Sequence, residues 1–171
     1  MGILNDLLSR VRNVSDGLQS GMLVRNALLS HPADIMELQR KQLFEGKRSD
    51  GEDIRPYYSE DLKPIGYFYT VETAGRYAAM KQDGVKYPYT ASRRNPDAPN
   101  LYFTGKFHEE IGVDFGPDAV GIVATTAFAQ KIIDKYGADT FGLMAEYWHE
   151  IFSERGALGE LMDEIKKELF I

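Results

Sequence analysis

Two of the three histidines in this chain are followed by glutamate, the pair that opens the HExxH zinc motif of metalloproteases: His108-Glu109 and His149-Glu150. That motif needs a second histidine four positions after the first, because the two ligands must share one face of a helix. The position holds Gly112 in one stretch and Ser153 in the other. We therefore predict no metal site at either pair.

The neighbouring carboxylates Glu109 and Glu110 suggest a different chemistry, general acid and base catalysis beside His108. Such a pair works only where an apolar pocket raises the pKa of one partner. Adjacent residues on a helix also point in different directions. A solvated pair is therefore the expectation, and a small hydrolase that uses these residues stays as an alternative.

No other stretch supplies a catalytic or cofactor-binding pattern. The chain lacks the GxSxG of serine hydrolases. The residues around Lys47 lack the first glycine of a phosphate-binding loop, and the acidic turn around Asp50 lacks the spacing of a calcium loop. The absence of cysteine excludes disulfides, thiolate nucleophiles and cysteine metal sites. We predict a protein without catalytic residues, cofactor or metal.

The charge of the chain is acidic and uneven. The net charge is -6, and residues 101–171 carry 6 lysines and arginines against 13 acids, whereas residues 1–100 carry 14 against 13. Neutralising phosphates needs clustered Lys and Arg, so we predict no sequence-specific binding of nucleic acid. The acidic half is expected to be a solvated face or to attract a basic surface on a neighbouring copy.

The sequence predicts an N-terminal amphipathic helical segment, residues 1–30. Apolar residues recur there at the three- and four-residue spacing of one helix face: Leu4, Leu7, Leu8, Val11, Val14 and Leu18. Gly17 and Ser20-Gly21 are expected to interrupt the helix. No apolar run is long enough to span a bilayer. Such a helix docks on its own domain or on a partner, so we name Leu4, Leu7 and Val11 as candidate assembly contacts.

Residues 31–171 are predicted to form a single α+β domain. Ser30 is expected to cap a helix that has Pro32 in its first turn and ends at Gly46. Asp50-Gly51 then predicts a turn. A short helix is expected within residues 65–80.

An extended irregular loop is predicted at about 82–100, since this stretch is rich in proline and has no periodicity. Long irregular segments tend to be functional or flexible. We interpret the loop as an arm whose aromatic and basic side chains are candidate assembly contacts, with a solvated surface loop as the alternative. These side chains are Tyr87, Tyr89, Arg93 and Arg94.

A β-hairpin follows, because apolar residues alternate with polar or small ones on both sides of Gly116-Pro117-Asp118. A helix is expected to end at Tyr136, with Gly137 as its left-handed stop. Two more helices are expected to close the chain, one around residues 144–152 and one from Leu158. The predicted class is α+β, with a small antiparallel sheet that includes this hairpin, packed by several helices. An extra N-terminal helix and the long arm complete it.

The order of these elements resembles the phage virion-morphogenesis family of small tail-completion and head-tail connector proteins. Four motifs carry the resemblance: a polar Asp-Gly turn, a Thr-Gly pair before a short helix, a Tyr-Gly helix end, and a Phe-Gly-Leu segment. In this chain they are Asp50-Gly51, Thr104-Gly105, Tyr136-Gly137 and Phe141-Gly142-Leu143. The resemblance covers about residues 32–171. The chain departs from the family pattern at the N-terminal helix, at the 82–100 loop and at Asp139-Thr140, where the family has Arg-Pro.

The resemblance implies a structural virion protein that is made in the host cytoplasm and assembles in the neck or tail. The expected partners are other neck or tail proteins and further copies of the chain in a ring, and no enzymatic activity or membrane is implied. An alternative is a small soluble adaptor that binds its partner through the N-terminal helix.

Overall fold

The computed structural model describes residues 2–60, 71–82, 94–102, 104–127 and 129–170. Within those ranges the chain forms eight α-helices, a short 3-10 turn and a two-stranded antiparallel sheet, which confirms the α+β class. The elements are α1 Gly2–Gln19, α2 Met22–Leu28, α3 Pro32–Phe44, α4 Val71–Gln82, α5 Lys106–Glu109, β1 Ile111–Phe115, β2 Val120–Ala124, α6 Ala129–Tyr136, the 3-10 turn Ala138–Thr140, α7 Ala145–Ser153 and α8 Ala157–Phe170.

The N-terminal helical segment breaks at only one of the two predicted points. Helix α1 runs through Gly17, whose missing side chain lets Leu23 of α2 pack against it, since an added Cβ would lie 2.9 Å from the Leu23 Cγ. The break comes at Gly21, which has φ +81°. An added Cβ there would lie 2.7 Å from the Asp118 carbonyl oxygen, so this position needs glycine for its backbone angle and for space.

Helix α3 passes through the core and buries Ile35, Leu38, Leu43 and Phe44 almost completely. Its predicted cap is wrong. His31 occupies the N-cap position without a side-chain cap, and the Ser30 hydroxyl instead donates to the Glu160 carboxylate of α8. The serine therefore ties two helices together and leaves the first amides of α3 uncapped by its side chain.

One face of α3 carries two fully buried glutamines, Gln39 and Gln42, three residues apart. Gln39 donates to the Thr140 carbonyl at 3.2 Å and accepts from the Gly142 N–H at 3.0 Å. Gln42 donates to the Gly142 carbonyl and accepts from the Met144 N–H, both at 2.8 Å. The two amides thus satisfy an extended stretch of buried backbone, as a neighbouring strand would.

The buried acid one turn further on, Glu45, is satisfied by a side chain. Its carboxylate accepts from the Tyr147 hydroxyl at 2.9 Å, and the Lys41 ammonium lies 5.1 Å from the centre of the same tyrosine ring. Together, these contacts fix α7 onto α3. Helix α3 ends at Phe44, and Gly46 closes it two residues later, as predicted, with φ +75°.

The hairpin was predicted correctly. Strands β1 and β2 pair antiparallel with Val113 opposite Ile122 and Phe115 opposite Val120. These four side chains are half-buried and pack against the core cluster around Ile35 and Leu38 of α3. The hairpin therefore covers α3 with one face, as its alternating sequence indicates.

Candidate assembly surface

Helix α1 presents part of its apolar face to solvent. Leu7, Leu8, Val11 and Leu18 are 41–50% exposed, although α1 packs against α2 and α8. A helix whose apolar stripe were fully docked would bury such side chains nearly completely. Two of the predicted assembly contacts, Leu7 and Val11, lie on this face, and the side chain of the third, Leu4, lies outside the described residues.

Helix α8 adds a second row of exposed apolar side chains. Leu158 and Met162 are 50% and 46% exposed, and Phe170 is 80% exposed. Leu158 and Met162 lie one turn apart on one face of the helix, and Phe170 lies in its last turn, about 120° around the helix from Leu158. The Arg10 guanidinium of α1 donates to the Leu169 carbonyl at 3.5 Å and places the end of α8 beside α1. We name the exposed apolar side chains of both helices the α1/α8 surface: Leu7, Leu8, Val11, Leu18, Leu158, Met162 and Phe170.

Several charged side chains on these two helices form pairs within their own helix. Asp6 pairs with Arg10 at 3.0 Å in α1, and α8 contains the pairs Asp163–Lys166 at 2.9 Å and Glu164–Lys167 at 2.6 Å. Exposed pairs of this kind contribute little to stability. Covering the exposed apolar side chains would contribute more to binding a partner than these ion pairs do.

The predicted arm is described only from Arg94 onward, so Tyr87, Tyr89 and Arg93 lie outside the described residues. Arg94 is half-buried, donates to the Lys81 carbonyl at 2.9 Å and lies 5.8 Å from the centre of the Phe44 ring. Residues 98–100 are also buried. This part of the predicted loop therefore packs into the domain, and Arg94 contacts its own chain.

Of the four family-like motifs, the Asp-Gly turn and the Phe-Gly-Leu segment lie against each other. Gly51 has φ +85° and donates to the Arg48 carbonyl at 3.0 Å, which confirms the turn. Ser49 donates its N–H to the Asp139 carbonyl at 2.8 Å, and an added Cβ at Gly142 would lie 3.2 Å from Ser49. The turn beside Asp50 therefore contacts the extended segment around Gly142. The same segment forms hydrogen bonds with Gln39 and Gln42 of α3.

The other motif residues also have structural roles. Gly105 has φ +85° and begins α5, and the Thr104 hydroxyl accepts from the Lys106 N–H at 3.4 Å. Tyr136 is buried, and α6 ends there. Gly137 differs from the prediction, because its angles of φ 91° and ψ 158° are not those of the left-handed helical region.

The aromatic and leucine side chains of the Phe-Gly-Leu segment divide between two core clusters. Phe141 packs edge-on against Phe107 at 6.0 Å, in the cluster of Leu43 and Tyr136. Leu143 belongs to the cluster of Ile35. The extended segment thus joins the two halves of the core.

The histidine of the alternative hydrolase lies in the core. His108 is 2% exposed and its Nε2 lies 3.1 Å from the Asn100 carbonyl. Burial lowers the pKa of His108 to about 4, so the ring is neutral at pH 7. Glu109 is exposed, and neither the cleft beside Met144 nor the cleft beside Trp148 is lined by His108 or Glu109.

No sequence pattern predicted a buried lysine beside this histidine. Lys81 of α4 is 1% exposed and its Nζ lies 3.0 Å from the Asn100 Oδ1. Burial, with the positive charge of Arg94, lowers the pKa of Lys81 to about 7. The Nζ also lies 5.3 Å from the centre of the Tyr77 ring. This group links Asn100 to α4.

Two further findings concern ligands and membranes. In the described part of the chain, no three His, Asp or Glu side chains are grouped so that they could hold a metal ion. The helices of that part are all too short or too polar to cross a bilayer.

Comparison with models of protein families, with curated proteins and with solved structures finds no match to this chain.

Proposed function

We propose that this chain is a structural virion protein of a tailed bacteriophage, and that it assembles in the neck or tail as a head-tail connector, tail-completion or tail-terminator component. The observation that supports this most is the α1/α8 surface. Its seven large apolar side chains are each at least 41% exposed, on two helices that pack together. Covering them stabilises an assembly by about 25 cal/mol per Å² of apolar area.

The fold beneath the surface fits a component that works by contact. Buried side chains such as Gln42, Glu45 and Tyr147 are engaged in holding α3, α7 and the 140–144 segment in one arrangement. An assembly unit needs this rigidity, because a fixed surface loses less entropy when it binds. The proposal assigns no catalytic residue to the chain.

The hairpin offers a second contact of a different kind. Strands β1 and β2 pair only with each other within the described ranges, so each has one edge without a strand partner there. An edge strand can accept a strand or an extended arm from a neighbouring chain. Two different contact surfaces on one chain are what a head-to-tail ring requires.

The acidic half of the chain suits a position near DNA. Residues 101–171 carry 13 acids against 6 lysines and arginines. In a ring, an acidic lining would keep DNA from adhering to the channel wall, since like charges repel. We place this half toward a neighbouring protein or the channel.

The direct test is to locate the chain in a particle. Gold-labelled antibody against the chain is applied to virions assembled from the genome that encodes it, and electron microscopy records the labelled position. Label at the neck or tail supports the proposal, and particles whose neck and tail carry no label refute it. Portal, capsid and tail genes on either side of the coding sequence are the expected genetic context.

A second candidate, a soluble adaptor that binds through its N-terminal helix, is favoured by the half-exposed face of α1. Removal of residues 1–29 distinguishes it. An adaptor loses its partner on that deletion, and a truncated protein that is monomeric, folded and still able to bind its partner counts against the adaptor.

A further inference from the structure

An apolar cleft of about 290 Å³ lies where α2, the hairpin turn and α7 meet. Val24 and Leu28 of α2 form one wall, Val120 forms a second, and the half-buried rings of Trp148 and Phe152 of α7 form a third. Aromatic and branched side chains that converge on a concave site are typical of binding pockets. None of the residues that line the cleft belongs to the α1/α8 surface, and Leu28 connects the cleft to the core.

The walls of this cleft are held in place by specific contacts. The Arg25 guanidinium donates to the Gly116 carbonyl at 2.8 Å and to the Asn26 Oδ1 at 3.1 Å. Gly21 lies against the Asp118 carbonyl, with space for no side chain between them. Helix α2 and the hairpin turn are therefore joined before anything binds, and a preformed site costs little to occupy.

The size of the cleft limits what can enter. Its volume of about 290 Å³ is at the lower limit of small-molecule sites, which begin at about 300 Å³. An α-helix, about 10 Å across with its side chains, does not fit inside. The cleft therefore suits one or two apolar side chains that project from a protein surface.

Phe170 is the side chain on this molecule that projects most. It is 80% exposed, the highest exposure among the large hydrophobic residues in the described ranges. It lies in the last turn of α8, three residues after Lys167 on the same side of the helix, and the cleft is lined by the exposed Asp118. Lys167 and Asp118 can therefore form one complementary pair beside an apolar centre.

The cleft of the same copy is out of reach of Phe170. The hydrogen bond from Arg10 to the Leu169 carbonyl holds the end of α8 beside residue 10 of α1. The cleft includes Phe152, which precedes the start of α8 at Ala157, and the 14 residues of helix from Ala157 to Phe170 correspond to about 20 Å. The ring of Phe170 can therefore meet a cleft of this kind only on another copy.

We propose that Phe170 of one copy inserts into the Val24–Trp148–Phe152 cleft of the next copy. This inference rests on the proposed ring assembly and names one of its contacts. The two patches are different surfaces of the chain, so the contact is heterologous and repeats around a ring or along a filament.

The test uses Trp148, the single tryptophan of the chain, as a reporter inside the cleft. The acceptor is the full chain with Phe170→Ala, which keeps the cleft and loses the projecting ring. The donor carries Trp148→Phe and Ala119→Phe, which remove the tryptophan and block the donor's own cleft at an exposed lining position. A control donor carries Phe170→Ala in addition. A second control donor carries Leu158→Ala, which removes another exposed residue of α8.

We expect the donor to shift the Trp148 emission of the acceptor to shorter wavelength in a saturable way. The Leu158→Ala donor should behave alike, and the donor without Phe170 should bind at least about tenfold more weakly, since central aromatic anchors dominate interfaces. As a second measurement, emission of the wild-type chain alone should shift with concentration and that of Phe170→Ala alone should not.

The proposal is overturned if the donor that has Phe170 and the donor that carries Phe170→Ala shift the emission equally. It is also overturned if neither of these two donors shifts the emission up to about 1 mM, where any remaining binding free energy is only about 4 kcal/mol. This failure differs from that of the proposed function. If the label is found at the neck or tail but the Trp148 emission does not respond to Phe170 of the donor, this contact is refuted and the proposed virion function is not.

Discussion

Replacing Gln42 with leucine should destabilise the domain strongly, although the two side chains are similar in size. Gln42 is fully buried and makes two hydrogen bonds of 2.8 Å, one to the Gly142 carbonyl and one from the Met144 N–H. Leucine fills the space and satisfies neither backbone group. A buried polar group without a partner costs about 1–3 kcal/mol.

The magnitude follows from the burial of the two groups. Met144 is buried, so its N–H is expected to carry the full cost, whereas Gly142 is only half-buried and its carbonyl can reach water more easily. Loss of both hydrogen bonds should lower the free energy of unfolding by about 2–4 kcal/mol. This is a large fraction of the roughly 5–15 kcal/mol that stabilises a domain.

Urea unfolding followed by circular dichroism measures the change. With a slope of about 2 kcal/mol per M, the midpoint should fall by about 1–2 M. Gln19→Leu is the matched control, because Gln19 is exposed and bonds only the Ser15 hydroxyl at 3.3 Å; it should change the free energy by less than about 0.5 kcal/mol. If Gln42→Leu lowers the free energy of unfolding by less than about 1 kcal/mol, the side-chain amides do not hold the 140–144 segment in place.

Three further changes test other parts of the fold by the same unfolding measurement. Gly21→Ala should cost about 1–3 kcal/mol, because alanine must adopt φ +81° and meets the Asp118 carbonyl at 2.7 Å; an unchanged midpoint would show that the α2 contact with the hairpin is loose. His108 takes up its proton near pH 6.5 when unfolded and only near pH 4 when folded, so stability is fully present above pH 6.5 and about 3 kcal/mol of it is lost as pH falls to 4. A His108→Gln chain should lack that pH-dependent part, and parallel pH profiles for the two chains would contradict the assignment. Arg155 contacts Asp34 and Glu150 at 2.7 Å each and Glu37 at 3.1 Å, so Arg155→Ala should cost about 1–3 kcal/mol at low salt and less at 1 M salt. The exposed pair partner Arg76 is the control, and an equal effect of Arg76→Ala would remove the special role of the network.

The elements with a strong local pattern were predictable from the sequence. The alternation around Gly116-Pro117-Asp118 fixes the hairpin register, because a slip by one residue would turn every apolar side chain to the other face. Helix α8 was expected from Leu158 and begins at Ala157, since its spacing is regular. In both elements, neighbours in sequence decide the structure.

The parts that depend on distant neighbours were not predictable. Gln39 and Gln42 weaken the apolar stripe of α3 in the sequence, and only the 140–144 segment across the core explains their burial. Gly17 was expected to break a helix, and the approach of Leu23 shows why glycine stands inside one. Ser30 has the residue type of a helix cap, yet Glu160 competes for its hydroxyl.

The candidate site was predictable in part. Periodicity identified the apolar faces of α1 and α8, but it could not show that their apolar rows stay half-exposed, because that depends on how far each helix docks. Leu7 and Val11 were named as contacts from the sequence, whereas Leu158 and Phe170 were not. The cleft at Trp148 combines three separate elements, so no local pattern reveals it.

The most direct test of the account is to place a charge on the α1/α8 surface and measure incorporation of the chain into particles. Val11→Glu puts a carboxylate on the half-exposed apolar face of α1, and Asn13→Glu adds the same charge at an exposed polar position of the same helix. Both chains should remain folded by circular dichroism. We expect purified virions to contain at least about tenfold less of the Val11→Glu chain than of the Asn13→Glu chain, as for a residue at the centre of an interface. Equal incorporation of two folded chains would contradict the claim that this surface assembles.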